Sequence, residues 1–311
     1  MYFLFKRKLK PLEKSATIGI VAPASPESPE IIDSKIEIFQ NLGFKIKKGK
    51  HLYDKNGYLA GNDKDRAEDL NSMFLDKNID AIVCLRGGYG SIRMVPYLDL
   101  KDIKNNPKPF FGYSDITLLL NYISNKCNFP TFHGPMITSN FDDLLTKEFF
   151  LKLLTHTKTK IIYNLNDICC NNYLIWNKKD FSGNIVGGNL SIICSTIGTP
   201  YEINFNNNIL LIEDVDESPY AVDRMLSQLI SCGKITKLSG IIIGYFTNCI
   251  NKNNNITVEE ILKEKLSPFN IPIIQGVRIG HDYPNITLPI GSKFKFSSKD
   301  DLLIQKDVIF K

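Results

Sequence analysis

Thr17-Ile18-Gly19-Ile20-Val21-Ala22-Pro23 is an apolar, partly β-branched run closed by a proline, and it reads as a buried strand that stops where the ring removes a backbone donor. Downstream, Ile32, Ile36 and Phe39 recur at helical spacing until Gly43, a residue suited to ending a helix. That is one strand–helix unit. A shorter strand over residues 44–47, a helix over 64–75 with Ala67, Leu70 and Phe74 on one face, and a strand over 81–85 form the next. A fourth strand, 109–112, runs into a helix from Asp115 whose Ile116, Leu119, Leu120 and Ile123 make an apolar stripe. Strands alternating with helices in this way predict an α/β domain on a mostly parallel sheet.

The alternation fades at residues 155–180, which are rich in threonine, lysine and asparagine. This stretch is expected to connect an N-terminal domain, 14–154, to a C-terminal domain, 181–311. The second part holds a glycine-rich segment over 182–190, a strand over 209–212, and a helix opened by Ser218 and Pro219 and closed by Gly233. Buried-type strands follow at 238–243 and 271–276, and short strands with turns from Ile286 onward. Two domains also suit a chain of 311 residues, 43% of them hydrophobic.

The formal net charge of +5 is spread along the chain as separate lysines, so no basic stripe marks a nucleic-acid surface. The start of the chain turns from apolar to basic, the reverse of a secretion signal. No apolar run approaches the roughly 20 residues of a membrane-spanning helix. A soluble cytoplasmic protein is expected. The seven cysteines include no CxxC pair and suit reduced thiols. His51, His133, His156 and His281 are scattered singly, without zinc-ligand spacing, so no structural metal is expected.

Four stretches could carry chemistry. In Phe110-Phe111-Gly112-Tyr113-Ser114-Asp115 a serine sits at a strand-to-helix turn, which exposes a nucleophile and aims helix N–H groups at it. On the local sequence alone serine there reads first as an N-cap, and Ile116 breaks the G-x-S-x-G pattern. Arg86-Gly87-Gly88-Tyr89-Gly90 follows a strand and frees backbone N–H groups, giving an oxyanion hole, an anion site or a plain tight turn. In Ile212-Glu213-Asp214-Val215-Asp216-Glu217 the last two acids suit a helix N-terminus. Glu213 continues an apolar strand and needs a partner. His281, in a polar loop, could be that partner or simply be solvated. Ser114, Glu213 and His281 would supply nucleophile, orienting carboxylate and general base.

These residues resemble the LD-carboxypeptidases, serine peptidases also called the muramoyltetrapeptide carboxypeptidase family. The resemblance runs through Ile18 to Ser25, Arg86 to Gly90, Gly112-Tyr113-Ser114-Asp115-Ile116-Thr117 and His133-Gly134-Pro135-Met136. It continues in Gly187-Gly188-Asn189-Leu190, Ile212 to Val215 with Arg224-Met225-Leu226, and Gly280-His281 with Thr287-Leu288-Pro289. It implies a flavodoxin-like or Rossmann-like N-terminal domain and a smaller β-rich α/β C-terminal domain, with the active site between them. It implies a triad of Ser114, Glu213 and His281, favouring Glu213 over Glu217. The oxyanion would be met by N–H groups of Asp115 and of Gly87 or Gly88. The resemblance also implies no metal or cofactor, a cytoplasmic homodimer, and a murein tetrapeptide substrate that loses its terminal D-alanine in cell-wall recycling. Departures are a lysine-rich start and asparagine-rich stretches at 206–208 and 251–255. The alternatives are a self-immunity peptidase acting on a peptidyl-nucleotide antibiotic, and a non-catalytic α/β protein that binds a peptide or nucleotide.

Overall fold

A computed structural model describes residues 7–13, 15–155, 161–250, 256–307 and 310. The chain forms two compact units, one of Met1–Thr159, Ile286–Gly291 and Val308–Lys311, the other of Lys160–Asn285 and Ser292–Asp307. In chain order the first holds β1 (Thr17–Val21), α1 (Pro29–Asn41), β2 (Lys45–Lys48), α2 (Asp63–Leu75), β3 (Ala81–Cys84), α3 (Ser91–Met94), α4 (Leu100–Asn105), β4 (Phe110–Gly112), α5 (Thr117–Cys127), β5 (Thr131–His133) and α6 (Leu144–Leu154). The second holds β6 (Ile162–Asn164), α7 (Leu165–Ile168), β7 (Cys169–Trp176), β8 (Phe181–Asn189), α8 (Leu190–Ser195), β9 (Ile209–Val215), α9 (Pro219–Ser231), β10 (Gly240–Thr247), α10 (Val258–Leu266) and β11 (Ile273–Val277). The chain then gives β12 (Leu288–Ile290) to the first unit, and β13 (Lys293–Ser297) and β14 (Leu302–Gln305) to the second.

The first sheet runs β12-β5-β4-β3-β1-β2. Its five strands from the early chain are parallel and in the flavodoxin-like order 2-1-3-4-5, with β12 antiparallel at the edge. Its packing follows the sequence pattern. Ile32, Ile36 and Phe39 of α1 are buried, as are Ala67, Leu70 and Phe74 of α2. Ser28 caps α1 by accepting from the Ile31 N–H, and Pro29 occupies its first turn.

The second sheet runs β6-β14-β13-β8-β9-β10-β11-β7, parallel from β8 to β11 and antiparallel outside. Leu210 and Ile212 of β9, Ile241 and Ile243 of β10 and Ile273 pack in one core with α8, α9 and α10. Because strand side chains alternate, Glu213 falls on the face turned away from those helices.

The units depart from the predicted domains in two places. Residues 161–180, expected as a connection, carry β6, α7 and β7. The strands β6 and β7 are the two edges of the second sheet, paired on one side only, so they tolerate the polar residues that masked them. Residues 286–291, expected in the C-terminal domain, belong to the first unit. Residues 156–160 of the expected connection with His156, the asparagine-rich 251–255, and 1–6 of the basic start lie outside the described residues.

Candidate active site

In the first unit, the loops leaving the carboxyl ends of β1, β3 and β4 are stitched to one another. The Ser25 N–H donates to the Gly87 carbonyl (3.3 Å), and the Tyr89 N–H to the Ser25 hydroxyl (3.2 Å). The buried Arg66 guanidinium donates to the carbonyls of Pro23 and Gly90 and pairs with Asp63. The Asp115 carboxylate accepts from the Ser91 N–H at 2.8 Å, and the Ser91 hydroxyl donates back to the Asp115 carbonyl at 2.8 Å. Burial pushes the Asp115 carboxyl up to about 6, despite those hydrogen bonds. Nothing in the sequence pattern marked Ser91 or Arg66.

Ser114 stands in this frame with a φ of 61°. A capping serine has extended backbone, as Ser28 (φ −70°, ψ 145°) and Ser218 (φ −69°, ψ 149°) do. Ser114 is instead the first residue of a 3₁₀ turn, Ser114–Ile116, whose cap position is Tyr113. The N-cap alternative is thereby set aside, and the left-handed backbone, costly for a residue with a Cβ, is what a strained strand-to-helix elbow requires. Gly87 explains how the elbow fits: a Cβ on it would lie 2.6 Å from the Ser114 Cβ and 2.8 Å from its Oγ. Among the described residues, the N–H groups of Gly87, Gly88 and Asp115 donate to no backbone carbonyl.

In the second unit, β9 runs past its apolar residues to Glu213 and Asp214, both buried. His281 Nδ1 lies 2.7 Å from Glu213 Oε2, with the imidazole 14% exposed and the carboxylate side chain fully buried. A carboxylate oxygen accepts, so Nδ1 carries the proton and Nε2 is the basic nitrogen. Burial depresses the imidazole pKa, but the charge and hydrogen bond of Glu213 outweigh it, and the net shift is upward from 6.5. Gly280, with φ 123°, admits this pairing: a Cβ there would sit 2.7 Å from Glu213 Oε2. Asp214 points to the other face, accepting from Asn189 Nδ2 (2.8 Å) and the Ser191 N–H (2.9 Å), and burial pushes its carboxyl up to about 6. Asp216 accepts from Asn248. The acid against His281 is thus Glu213.

The scattered histidines conceal one spatial grouping. His51 meets Asp54 at 2.8 Å, and ligand-type atoms of His51, Asp65 and Glu68 lie within 4.8 Å of one another. Lys50 is 3.4 Å from Glu68, so the group is part of a charge-compensated surface. His133 is fully buried, its ring 6.0 Å from that of Tyr113. No helix of the described residues is long and apolar enough to cross a membrane.

Residues 18–134 match the LD-carboxypeptidase N-terminal domain, and residues 182–296 the LD-carboxypeptidase C-terminal domain. A probable murein peptide carboxypeptidase of Bacillus subtilis is 39% identical over 297 residues, covering 94% of this chain and 92% of its own. The chain belongs to the LD-carboxypeptidase family. The family makes it a peptidase, and so a hydrolase. Another relative, the murein tetrapeptide carboxypeptidase of Pseudomonas aeruginosa, is 29% identical over 88% of this chain and 91% of its own. Among solved structures, MccF in complex with glutamyl sulfamoyl guanosine superposes with a TM-score of 0.90 at 27% identity, covering 98% of this chain and 99% of that one. The two-sheet α/β architecture of this chain is therefore shared with that solved structure.

Proposed function

We propose that this chain is a cytoplasmic, homodimeric serine LD-carboxypeptidase that removes the terminal D-alanine from a murein tetrapeptide in peptidoglycan recycling. What carries the proposal is the left-handed backbone of Ser114 against Gly87. The names of the Bacillus and Pseudomonas relatives support the substrate class.

Ser114 Oγ attacks the carbonyl of the bond between the diamino acid and D-alanine, and His281 Nε2 takes its proton. Glu213 holds the ring and stabilises the imidazolium that forms. The tetrahedral oxyanion receives N–H groups from Asp115 and from Gly87 or Gly88; loss of one such donor typically lowers the rate about 10²–10³-fold. His281 then protonates the D-alanine nitrogen, the C–N bond breaks, and an acyl-serine remains. Water, deprotonated by the same imidazole, hydrolyses that ester and restores Ser114.

The test is mass analysis of a synthetic L-Ala-γ-D-Glu-diamino acid-D-Ala tetrapeptide incubated with the protein. Wild type should convert it to the tripeptide, and Ser114→Ala should leave it at background. Full activity in that variant would overturn the mechanism. The superposition with MccF favours a second reading, cleavage of a peptidyl-nucleotide antibiotic or an acyl-sulfamoyl nucleoside. Assaying both substrates side by side separates the two.

A further inference from the structure

The parallel sheet of the first unit reverses its direction of growth between β1 and β3. In open sheets of this kind, ligands settle in the crevice outside the carboxyl ends of the strands at that point. Here the crevice is bounded by the segment from Ala22 to Ser28 after β1 and the segment from Leu85 to Gly90 after β3, and one ion pair spans it. Arg86 Nη1 lies 2.7 Å from Glu27 Oε2, with the side chains 39% and 20% exposed. Glu27 Oε1 also accepts from the Ser28 N–H at 3.0 Å, which orients the carboxylate. Among the described residues, the Arg86 guanidinium has no other hydrogen-bond partner, and its side chain is 39% exposed, so donors of the fork remain available to a ligand. The residue after Arg86 is Gly87, which lies on Ser114.

Ser25 already ties these two loops together at Gly87 and Tyr89, so this half-buried pair is not needed to join them. As chemistry the pair is more informative. The guanidinium presents a planar fork that matches a carboxylate, and the glutamate is an acceptor for an ammonium group. A single carbon bearing both charges, the free end of an amino acid, would satisfy the two together. A substrate of the proposed class has such a carbon in one of its forms. The diamino acid before D-alanine ends either in a bare amine, as in lysine, or in a carbon carrying amine and carboxylate, as in diaminopimelate. An arginine one residue from the nucleophile contact has a reach comparable with that side chain.

We infer that Arg86 and Glu27 hold the zwitterionic end of the diamino acid, and so set the enzyme's preference for peptides that carry one. This rests on the carboxypeptidase reading above. Arg86 takes the side-chain carboxylate and Glu27 the side-chain ammonium, while the peptide's own terminal carboxylate is left to other groups.

Two tetrapeptides that differ only in ending the third side chain as diaminopimelate or as lysine test this. The quantity read is the ratio of their kcat/KM values in wild type, Arg86→Met and Glu27→Gln. The ratio should favour the diaminopimelate peptide by roughly tenfold or more in wild type, through KM, and fall to near one in Arg86→Met. Glu27→Gln should weaken both peptides, since both carry the amine. A wild-type ratio near one, or a ratio unchanged by Arg86→Met, overturns the inference. Calorimetric Kd values for the same peptides on Ser114→Ala protein, with and without Arg86→Met, separate it from the reading it rests on. Arg86-dependent discrimination without hydrolysis by wild type would sustain the zwitterion site and sink the carboxypeptidase. Neither discrimination nor hydrolysis would sink both.

Discussion

At Ser114 and His281, the proposed function turns on properties that a sequence does not display. A φ of 61° at a serine belongs to the backbone, and the local letters fit a helix cap as well as an elbow. Glu213 and His281 are 68 residues apart and meet at 2.7 Å because Gly280 leaves room for the carboxylate. Glu213 was legible as a carboxylate ending an apolar strand; His281 was legible as its candidate partner, but a loop histidine fits solvation as well, and only the resemblance joined the two. The pairing has a pH consequence. The imidazole must be neutral to accept the serine proton, and its pKa lies above 6.5 through Glu213. The acid limb of kcat/KM should therefore lie above pH 6.5, and Glu213→Gln should move it down while lowering kcat. An acid limb that ignores Glu213→Gln would contradict the pairing. Linkage runs in the matching direction: the protonated imidazole stabilises the fold fully below pH 6.5, and that contribution is lost as pH rises through the raised value.

At the level of elements, most strands and helices could be read from periodicity, because α1, α2 and β9 bury the residues their spacing selects. The edge strands β6 and β7 could not, since one unpaired side lets polar residues such as Asn171 and Asn172 stand in a strand. The clamp between β3 and β4 was also hidden. It consists of two hydrogen bonds between Ser91 and Asp115, across loops that are 24 residues apart. Burial raises the Asp115 carboxyl to about 6, so the folded state holds its proton more tightly than the unfolded chain. Its contribution to stability is then greatest below pH 3.8 and declines as pH climbs to about 6. Asp115→Asn keeps an acceptor for the Ser91 N–H and cannot ionise. Thermal melts should show a Tm for this variant that falls less than that of wild type between pH 4 and 7, a difference of up to about 3 kcal/mol in stability. Parallel profiles would show that Asp115 is ionised without penalty.

For the whole molecule, the sequence indicated two α/β domains, and the chain makes two units with the expected flavodoxin-like order in the first. Their boundary is less simple than a single connection. The chain returns β12 to the first unit, pairing Leu288 with His133, before adding β13 and β14 to the second. Three residues are too few for periodicity to assign a strand to one domain or the other. The proposed chemistry requires residues of both units, Ser114 from the first and the Glu213–His281 pair from the second. A fluorophosphonate probe, which reacts with a serine only when a base activates it, measures that requirement directly by peptide mass analysis. One adduct on Ser114, abolished in Ser114→Ala and strongly slowed in His281→Ala, is the predicted result. Absence of an adduct on Ser114 from protein that still releases D-alanine would contradict it.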